Sequence, residues 1–492
     1  MEQVPLLCSE ILKDLLVQTR GKDAVLPVCI ISDSRKLAGG CLFIAVPGSR
    51  SDGHNFIPEA ERKAAVIVHS RELTSYQPHI TYYQVTSASA AAALLFRAKY
   101  GDPDKKLALF GVTGTNGKTT TAFIFEHLLE KCGLLSTVEF RTGKERIPAT
   151  HTTPDPETLF KMLRQMQDNG LTSAALELSS HALDQNRAWG ARFRVAVFTN
   201  LTGDHLDYHR DMESYYQAKK LFFTRYLQPE GVAVINTDDA RGRRLSSELD
   251  GICRVITFGT SADAQWQIRN LQNSRNGLAF DLVSKETTVP VTSNLAGKFN
   301  AFNLAGAILS VMDYGVTPAE IKQKLKEKIT VPGRLQMLEA PTGALFVVDF
   351  AHTDDALTSV LQTLRPLTGK KLFCVFGAGG DRDKTKRPRM GRAASCADML
   401  IITSDNPRSE DPEQIISEIV SGVPQGTCFE IQPDRRKALQ RAYSLASDGD
   451  VVLVAGKGHE NYQEIAGVKY DFSDIQVIRD CFKGDNNEKT DA

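Results

Sequence analysis

The stretch Leu107-Ala108-Leu109-Phe110-Gly111-Val112-Thr113-Gly114-Thr115-Asn116-Gly117-Lys118-Thr119-Thr120-Thr121 constrains the fold more than any other. An apolar run stops at glycines, and a Gly-Lys-Thr leads into helix-forming residues. The order reads as strand, phosphate loop, helix. Gly114 and Gly117 let backbone N–H groups turn inward around an anion, the helix beginning near Lys118 offers its positive end, and Lys118 adds a full charge. Thr119 is then placed to bind Mg²⁺ through its hydroxyl, with Thr115, Asn116 and Thr120 as further nucleotide contacts. The spacing departs from G-x-x-x-x-G-K-[ST], because the residue five before Gly117 is Val112 and the available glycines are Gly111 and Gly114. A glycine-rich strand-to-helix turn is the plain alternative; the flanking strand and helix favour ATP binding.

A chain of 492 residues fits about three domains. Its 42% hydrophobic and 24% charged content describes a globular chain, and 59 basic residues against 59 acidic ones leave no global field to favour nucleic acid or an anionic membrane. The nine cysteines are scattered without a C-x-x-C pair, which argues against a disulfide framework or structural zinc and for a reducing compartment. The N-terminus lacks a basic segment before a long apolar core, and no later apolar run is long enough to span a bilayer. A cytoplasmic protein is expected.

Residues 1–100 alternate short apolar runs (28–31, 41–46 and 65–68) with polar turns and end in a helical stretch from Ser87 to Tyr100, as in a small α/β domain. After the breaker Gly101-Asp102-Pro103-Asp104, residues 101–333 carry the phosphate loop and further strands at 174–178, 195–200 and 232–236, separated by helices. Such alternation implies an α/β domain with a mostly parallel sheet covered on both faces. Ligands then collect at the C-terminal ends of its strands. Residues 334–492 repeat the pattern at 345–349, 371–377, 399–403 and 451–456 as a third, Rossmann-like α/β domain, with 484–492 a polar, frayed tail.

Glu177 ends an apolar strand, where a carboxylate is costly unless it meets a cation or donors; Mg²⁺ is the natural partner. Asn200-Leu201-Thr202-Gly203-Asp204-His205-Leu206-Asp207-Tyr208-His209 follows the next strand and brings oxygen and imidazole groups to the same edge. Helix capping by Asp204 and His205 is the bland reading, and metal binding the one favoured beside a phosphate loop.

The phosphate loop, His151-Thr152-Thr153-Pro154, Leu176-Glu177-Leu178-Ser179-Ser180-His181, the Asn200–His209 run, Gly297-Lys298-Phe299-Asn300, Pro332-Gly333-Arg334 and Asp349-Phe350-Ala351-His352-Thr353 resemble, in order, the motif series of the Mur ligases. Gly203, Phe350 and Asp354 depart from that series. The resemblance implies ATP-dependent amide-bond synthesis: a substrate carboxylate attacks the γ-phosphate, and an amine displaces phosphate from the resulting acyl phosphate. Lys118 and Mg²⁺ would relieve the anionic crowding. It also implies metal contacts at Thr119, Glu177 and His205, with Lys219 carbamoylated by CO₂ into an anionic ligand. The default for Lys219, on a helix read over Met212–Phe222, is an exposed lysine.

By motif, Ser34, Ser49, Arg50, Ser51, Thr152, Thr153, Ser179, Gln185 and Arg187 would grip a UDP-N-acetylmuramoyl-L-alanyl-D-glutamate substrate. Asn300, Asn303, Arg334 and Asp349 would contact nucleotide, Arg334 being supplied from the domain boundary on closure. Each could instead be structural. Asp405-Asn406-Pro407-Arg408 matches the family members that add meso-diaminopimelate, where the arginine meets the distal carboxylate that lysine lacks. Arg382 would bind the other carboxylate, and Gly456 and Glu460 the amino-acid end. A Pro-containing turn with a solvated arginine is the plain reading of the same residues. A lysine-adding relative, a folylpolyglutamate synthetase-like ligase and a P-loop switch are the rivals, and a monomer is expected.

Overall fold

The computed structural model describes residues 6–48, 51–203 and 208–488, the side chains of 484–488 excepted. The chain forms two compact units, one holding residues 1–268, 282–288 and 302–324, the other 269–281, 289–301 and 325–492. Among the described residues no helix is long and apolar enough to cross a membrane.

The first unit begins with a five-stranded sheet, in the order Leu16–Arg20, Thr81–Val85, Val66–His69, Leu42–Ile44, Ile30–Ile31. Leu16–Arg20 and Thr81–Val85 run antiparallel and the other pairs parallel. The short central strands are buried on both faces, as continuous Val, Ile and Phe runs require. The expected helix forms over Ala88–Lys99, with the Ser87 hydroxyl accepting from the Ala90 N–H. Contrary to the expectation from the scattered cysteines, Cys29 and Cys41 are disulfide-bonded. They precede neighbouring parallel strands, so the sheet brings together two residues whose spacing alone announces nothing.

The sheet that carries the phosphate loop has Ala108–Thr113 between Ser173–Glu177 and Phe193–Phe198, all parallel. Leu227–Asn236 and Arg254–Gly259 extend it on one side and Cys132–Leu135 on the other. From Ala108–Thr113 the chain crosses to Cys132–Leu135, whereas from Phe193–Phe198 it crosses the opposite way. The crevice at a strand-order reversal of this kind is where an α/β sheet receives its ligand. Two short antiparallel strands, Glu139–Arg141 and Arg146–Pro148, close one edge. A meander of Trp266–Ser274, Gly277–Val283 and Thr288–Ser293 follows in strand order at the other. The sequence reading missed it, although Thr288–Ser293 alternates exposed and buried residues with a period of two.

The second unit has a six-stranded sheet, in the order Gln336–Glu339, Leu345–Asp349, Val451–Ala455, Leu372–Phe376, Met399–Ile402, Phe429–Ile431. Only the first pair is antiparallel. Apolar clusters cover both faces, one around Val347, Leu361, Phe376 and Ile402, the other around Phe346, Val375, Leu439 and Ile478. The last helix, Asp474–Glu488, runs through the first part of the segment read as a frayed tail. Asp474 explains its docking: its carboxylate takes two bonds of 2.8 Å from the fully buried Arg435, whose Nη2 also donates to the Ala455 carbonyl (2.9 Å).

Candidate active site

The phosphate loop is shaped by what lies against its glycines. Gly114 sits at φ +153° and Gly117 at φ +87°. A Cβ on Gly114 would run into Thr199 Oγ1, and one on Gly117 into Asn303 Oδ1, so only glycine lets these neighbours approach. The end of strand Phe193–Phe198 holds the loop: Thr115 N–H donates to the Asn200 carbonyl and Asn116 N–H to Asn200 Oδ1, both at 2.9 Å, while Thr199 Oγ1 donates to the Asn116 carbonyl (2.6 Å). Thr199 was not singled out in the sequence, and Asn200 only as the start of the run read for metal ligands; two polar residues closing an apolar strand were the available signal for their hold on the loop. Thr120 is buried in the first turn of the helix Lys118–Leu128.

Lys118 Nζ curls back to the Gly114 and Thr115 carbonyls (2.9 and 2.8 Å). Lys219 is 1% exposed, which removes the solvated-lysine reading. Its Nζ also donates to the Gly114 carbonyl, at 2.8 Å, and lies 4.6 Å from the Tyr215 ring centre. Two ammonium groups on one carbonyl oxygen lie within about 6 Å of each other, an arrangement that favours an anion between them. Helix Met212–Leu221 delivers Lys219 and passes into a π-turn at Phe222–Tyr226, an irregularity common at functional sites.

Glu177 is 1% exposed. Its Oε1 accepts from Thr137 N–H (2.7 Å), and its Oε2 from the hydroxyls of Thr137 (3.0 Å) and Thr119 (3.2 Å). These donors are all neutral, so a cation held by Thr119 and Glu177 would supply the missing charge. The pair suits Mg²⁺, which keeps several waters and takes only one or two protein oxygens beside phosphate. His205 lies outside the described residues, and among those described no group of three or more His, Cys, Asp or Glu could hold a metal.

Beside Glu177 five expected substrate residues converge. Thr153 Oγ1 donates to the Glu177 carbonyl (2.7 Å) and accepts from Ser179 N–H (3.0 Å), and the hydroxyls of Thr152 and Thr137 lie 3.2 Å apart, within hydrogen-bond distance. Arg187 reaches the Thr153 carbonyl (2.7 Å) and places Nε and Nη2 on Gln185 Oε1 (3.1 and 2.9 Å). Burial pulls the Arg187 pKa below the usual arginine value, so the pocket favours an anionic ligand that restores the charged state. Ser179 also caps the helix that follows. Ser34 opens a 3₁₀ turn and Ser51 is exposed, both in the N-terminal part; nothing among the described residues ties them to this cluster. Ser49 and Arg50 lie outside the described residues.

Of the expected nucleotide residues, Asn303 stands against the phosphate loop in the first unit. The others belong to the second. Asn300 Nδ2 donates to the Ala296 carbonyl (2.6 Å), a bond within the entry to helix Lys298–Tyr314. Arg334 lies 4.8 Å from the Phe350 ring centre, and that ring is 5.4 Å from His459. Asp349 accepts from the N–H groups of Leu335 and Ala351 (2.8 Å each); burial nonetheless pushes its pKa up, against the pull of Arg334. The Gly456 N–H donates to the Asp349 carbonyl (3.1 Å), so these residues adjoin the loop expected to hold an amino acid.

That loop and its neighbours form the last cluster. The Asp405–Arg408 turn and Gly456-Lys457-Gly458-His459-Glu460 leave the C-terminal ends of Met399–Ile402 and Val451–Ala455. A Cβ on Gly456 would strike Asp405 Oδ2, and one on Gly380 the Pro407 carbonyl. Asn406 Nδ2 donates to Glu460 Oε2 (2.8 Å), and the fully buried Lys457 donates to both Asn406 Oδ1 and Glu460 Oε2 (3.0 Å each). Lys457 was quoted in the sequence without a role. Arg408 lies in a left-handed conformation (φ 51°), with Nη1 on the Gly380 carbonyl (2.6 Å) and Nε 3.6 Å from Glu464 Oε2. It is therefore held, and the solvated-turn alternative fails. Arg382 is exposed and reaches only the Asp381 carbonyl, at 3.3 Å, among the described residues. A separate cavity of 810 Å³, lined by Lys106, Thr172, Arg192 and Tyr314 among others, opens at the opposite, N-terminal ends of the phosphate-loop sheet and contains none of these groups.

Three family descriptions match consecutive parts of the chain: Mur ligase family, catalytic domain, at residues 29–99; Mur ligase middle domain at 112–311; and Mur ligase, glutamate ligase domain, at 333–458. The chain is 42% identical over 462 residues to the UDP-N-acetylmuramoyl-L-alanyl-D-glutamate–2,6-diaminopimelate ligase of Aquifex aeolicus (strain VF5), covering 93% of this chain and 94% of that one. The enzyme of the same name from Geobacter metallireducens is 39% identical, with 92% and 93% covered. A solved structure of a ligase of that name superposes with a TM-score of 0.68 at 34% identity, over 98% of this chain and 100% of the other. A Mycobacterium tuberculosis folylpolyglutamate synthase complexed with ADP shares the fold at 18% identity, with a TM-score of 0.61 over 75% of this chain and 92% of its own. With these matches running nearly end to end, the chain belongs to the Mur ligase family.

Proposed function

We propose that this protein is an ATP-dependent ligase that joins meso-diaminopimelate to UDP-N-acetylmuramoyl-L-alanyl-D-glutamate, releasing ADP and phosphate. The observation that carries the reading is the held Arg408, set beside Asn406, Lys457 and Glu460 at the ends of adjoining strands, in a chain 42% identical to a ligase so named. The enzyme works as a monomer in the cytoplasm, where nucleotide-linked substrates and ATP are found.

The phosphate loop N–H groups and Lys118 hold the triphosphate, and Asn303 closes the loop from the side. A carboxylate oxygen of the UDP substrate attacks the γ-phosphorus, ADP leaves, and an acyl phosphate forms. The free amine of diaminopimelate then attacks the acyl carbon, inorganic phosphate departs, and the amine loses its proton. Arg187, Thr153 and Ser179 orient the UDP substrate beside Glu177. Thr119 and Glu177 would hold Mg²⁺, which would supply positive charge against the phosphates. Lys219, carbamoylated, adds a second negative oxygen pair where its ammonium now faces Gly114. Arg334 and Phe350 meet the nucleotide, and Arg382, Arg408, Asn406 and Glu460 the amino acid.

The test is phosphate release with ATP, Mg²⁺ and UDP-N-acetylmuramoyl-L-alanyl-D-glutamate, comparing meso-diaminopimelate with L-lysine. Release that depends on both substrates and strongly prefers diaminopimelate is expected. Equal or better use of L-lysine identifies the lysine-adding counterpart, and release without an acceptor amine identifies a nucleotide hydrolase.

A further inference from the structure

The fully buried Arg387 has no place in the chemistry above, yet it stands at the hub of the two loops that carry Arg382 and Arg408. These loops follow the neighbouring parallel strands Leu372–Phe376 and Met399–Ile402. Arg387, in the first turn of helix Lys386–Ala394, sends Nη1 to Glu410 Oε2 (3.0 Å) and Glu418 Oε2 (2.7 Å), and Nη2 to Glu410 Oε1 (2.9 Å) and the Gly379 carbonyl (3.3 Å). It thus grips one loop at Gly379 and the other at Glu410. Glu410 Oε1 in turn accepts the Asp381 N–H (2.6 Å), and the Asp381 carboxylate accepts from Ser409 N–H (3.2 Å) and Oγ (2.7 Å). The bonds from Gly380 N–H to the Asn406 carbonyl (2.9 Å) and from Arg408 Nη1 to the Gly380 carbonyl (2.6 Å) finish the seam.

Two non-glycine residues of this seam, Asp381 (φ 52°) and Arg408 (φ 51°), occupy left-handed backbone. Such conformations persist when the surroundings over-determine them, and they gather where a site is pre-organised. Arg408 hangs from Gly380, Gly380 is flanked by two residues tied to the Arg387–Glu410 pair, and Arg382 follows directly on Asp381. A bidentate guanidinium–carboxylate pair fixes orientation as well as distance, and reach for a planar carboxylate demands both.

We propose that Arg387 and Glu410 are positioning residues for amino-acid selection: their ion pair sets the separation and direction of Arg382 and Arg408, and so determines how well the distal carboxylate of the incoming amino acid is recognised. The proposal rests on the functional reading above in assigning that carboxylate to Arg408. A pair that merely stabilised the unit would, when weakened, lower the melting temperature or the fraction of active enzyme without altering the affinity for one substrate alone. A positioning pair separates the three substrates. Displacing a recognition group by an ångström costs up to about a hundredfold.

The experiment uses the full-length enzyme with Glu410→Gln, which keeps the shape and removes the charge, and Arg387→Lys, which keeps the charge and removes the fork. KM and kcat are measured for meso-diaminopimelate, ATP and the UDP substrate, together with the preference for diaminopimelate over L-lysine and the melting temperature. The expected result is a rise in KM for diaminopimelate of roughly ten- to a hundredfold and a matching loss of preference, with the other two KM values within about threefold of the parent. Unchanged KM for diaminopimelate in both variants, or an equal rise for all three substrates, overturns the proposal. Should the parent enzyme itself select a different amino acid, the functional reading fails instead. The comparison then runs with the acid it does use, and the brace stands or falls on that KM alone.

Discussion

Replacing Arg408 by Met tests the functional assignment where the structure is most explicit. Nη1 is already committed to the Gly380 carbonyl at 2.6 Å, and Nε faces Glu464 at 3.6 Å, so the Nη2 edge and the second Nη1 hydrogen remain for a ligand. Two charge-assisted bonds to a carboxylate, each worth about 1.5–3 kcal/mol, put the loss at about 3–6 kcal/mol. In kcat/KM that is a fall of about 10²–10⁴ for meso-diaminopimelate. L-Lysine offers no distal carboxylate, and its kcat/KM should stay within about threefold. Arg408→Lys keeps a charge without the fork and should fall between. Met and Lys carry no more strain than Arg at φ 51°, so the backbone cost is shared by all three. The assay is phosphate release at saturating ATP and UDP substrate. An equal loss for both amino acids, or a loss below tenfold for diaminopimelate, would show that Arg408 serves the loop and not the substrate.

Lys219→Ala should lose turnover by roughly a hundredfold or more, because it removes a buried charged group from a preorganised phosphate site; a short added carboxylic acid should restore part of it, and a fully active variant would rule out the carbamate. Asp474→Ala strands the Arg435 guanidinium inside the second unit and should cost about 3–5 kcal/mol in calorimetry, while Arg435→Met with Asp474→Leu should recover most of that; a single-variant loss under about 1 kcal/mol contradicts the buried-pair argument. Arg387 holds the Glu410 carboxyl down to about 2 from its ordinary 4.5. A depressed acid lends stability that is complete above the unfolded value and lost as pH falls through the folded one. The melting-temperature gap between parent and Glu410→Gln should therefore stay constant from neutrality to about pH 5 and shrink between about 4.5 and 2; a gap that grows on acidification has the wrong sign.

The phosphate-loop strand, its flanking strands and the helix that carries Lys219 were readable because each is an apolar run ended by glycine or a polar cap, and such local signals survive in one sequence. The paired threonines and Arg187 were named as ligands, and the fold brings them to the edge of Glu177. What could not be read depends on contacts between distant segments. Asn200 serves the loop only because its strand lies beside Ala108–Thr113. Cys29 meets Cys41 only through strand order, and Lys457 looks like any loop lysine until Asn406, from the loop after another strand, joins Glu460 of its own loop around it. The meander after Arg254–Gly259 was missed for a different reason: its first strand, Trp266–Ser274, is polar and half-exposed, and a weak period-two pattern is easily masked by neighbouring turns.

The second unit places buried cations around the proposed amino-acid site and gives every one its own carboxylate. Lys457 faces Glu460, Arg387 faces Glu410 and Arg435 faces Asp474, with all three cations fully buried, while the partly exposed Arg408 faces Glu464. Burying so many charges costs desolvation that an apolar core would avoid, so the arrangement is best understood through what it does for a ligand. Each of these buried cations is held by a partner that cannot move without exposing an unpaired charge. The site therefore reaches its working geometry before the amino acid arrives, and binding need not supply the energy of ordering it. Because its charges are already paired, it also suits a ligand that is itself internally balanced. Diaminopimelate, with two carboxylates and two ammonium groups, adds no net charge, whereas lysine brings an extra positive charge. Selection against lysine then has two sources, the missing bonds to Arg408 and the surplus charge.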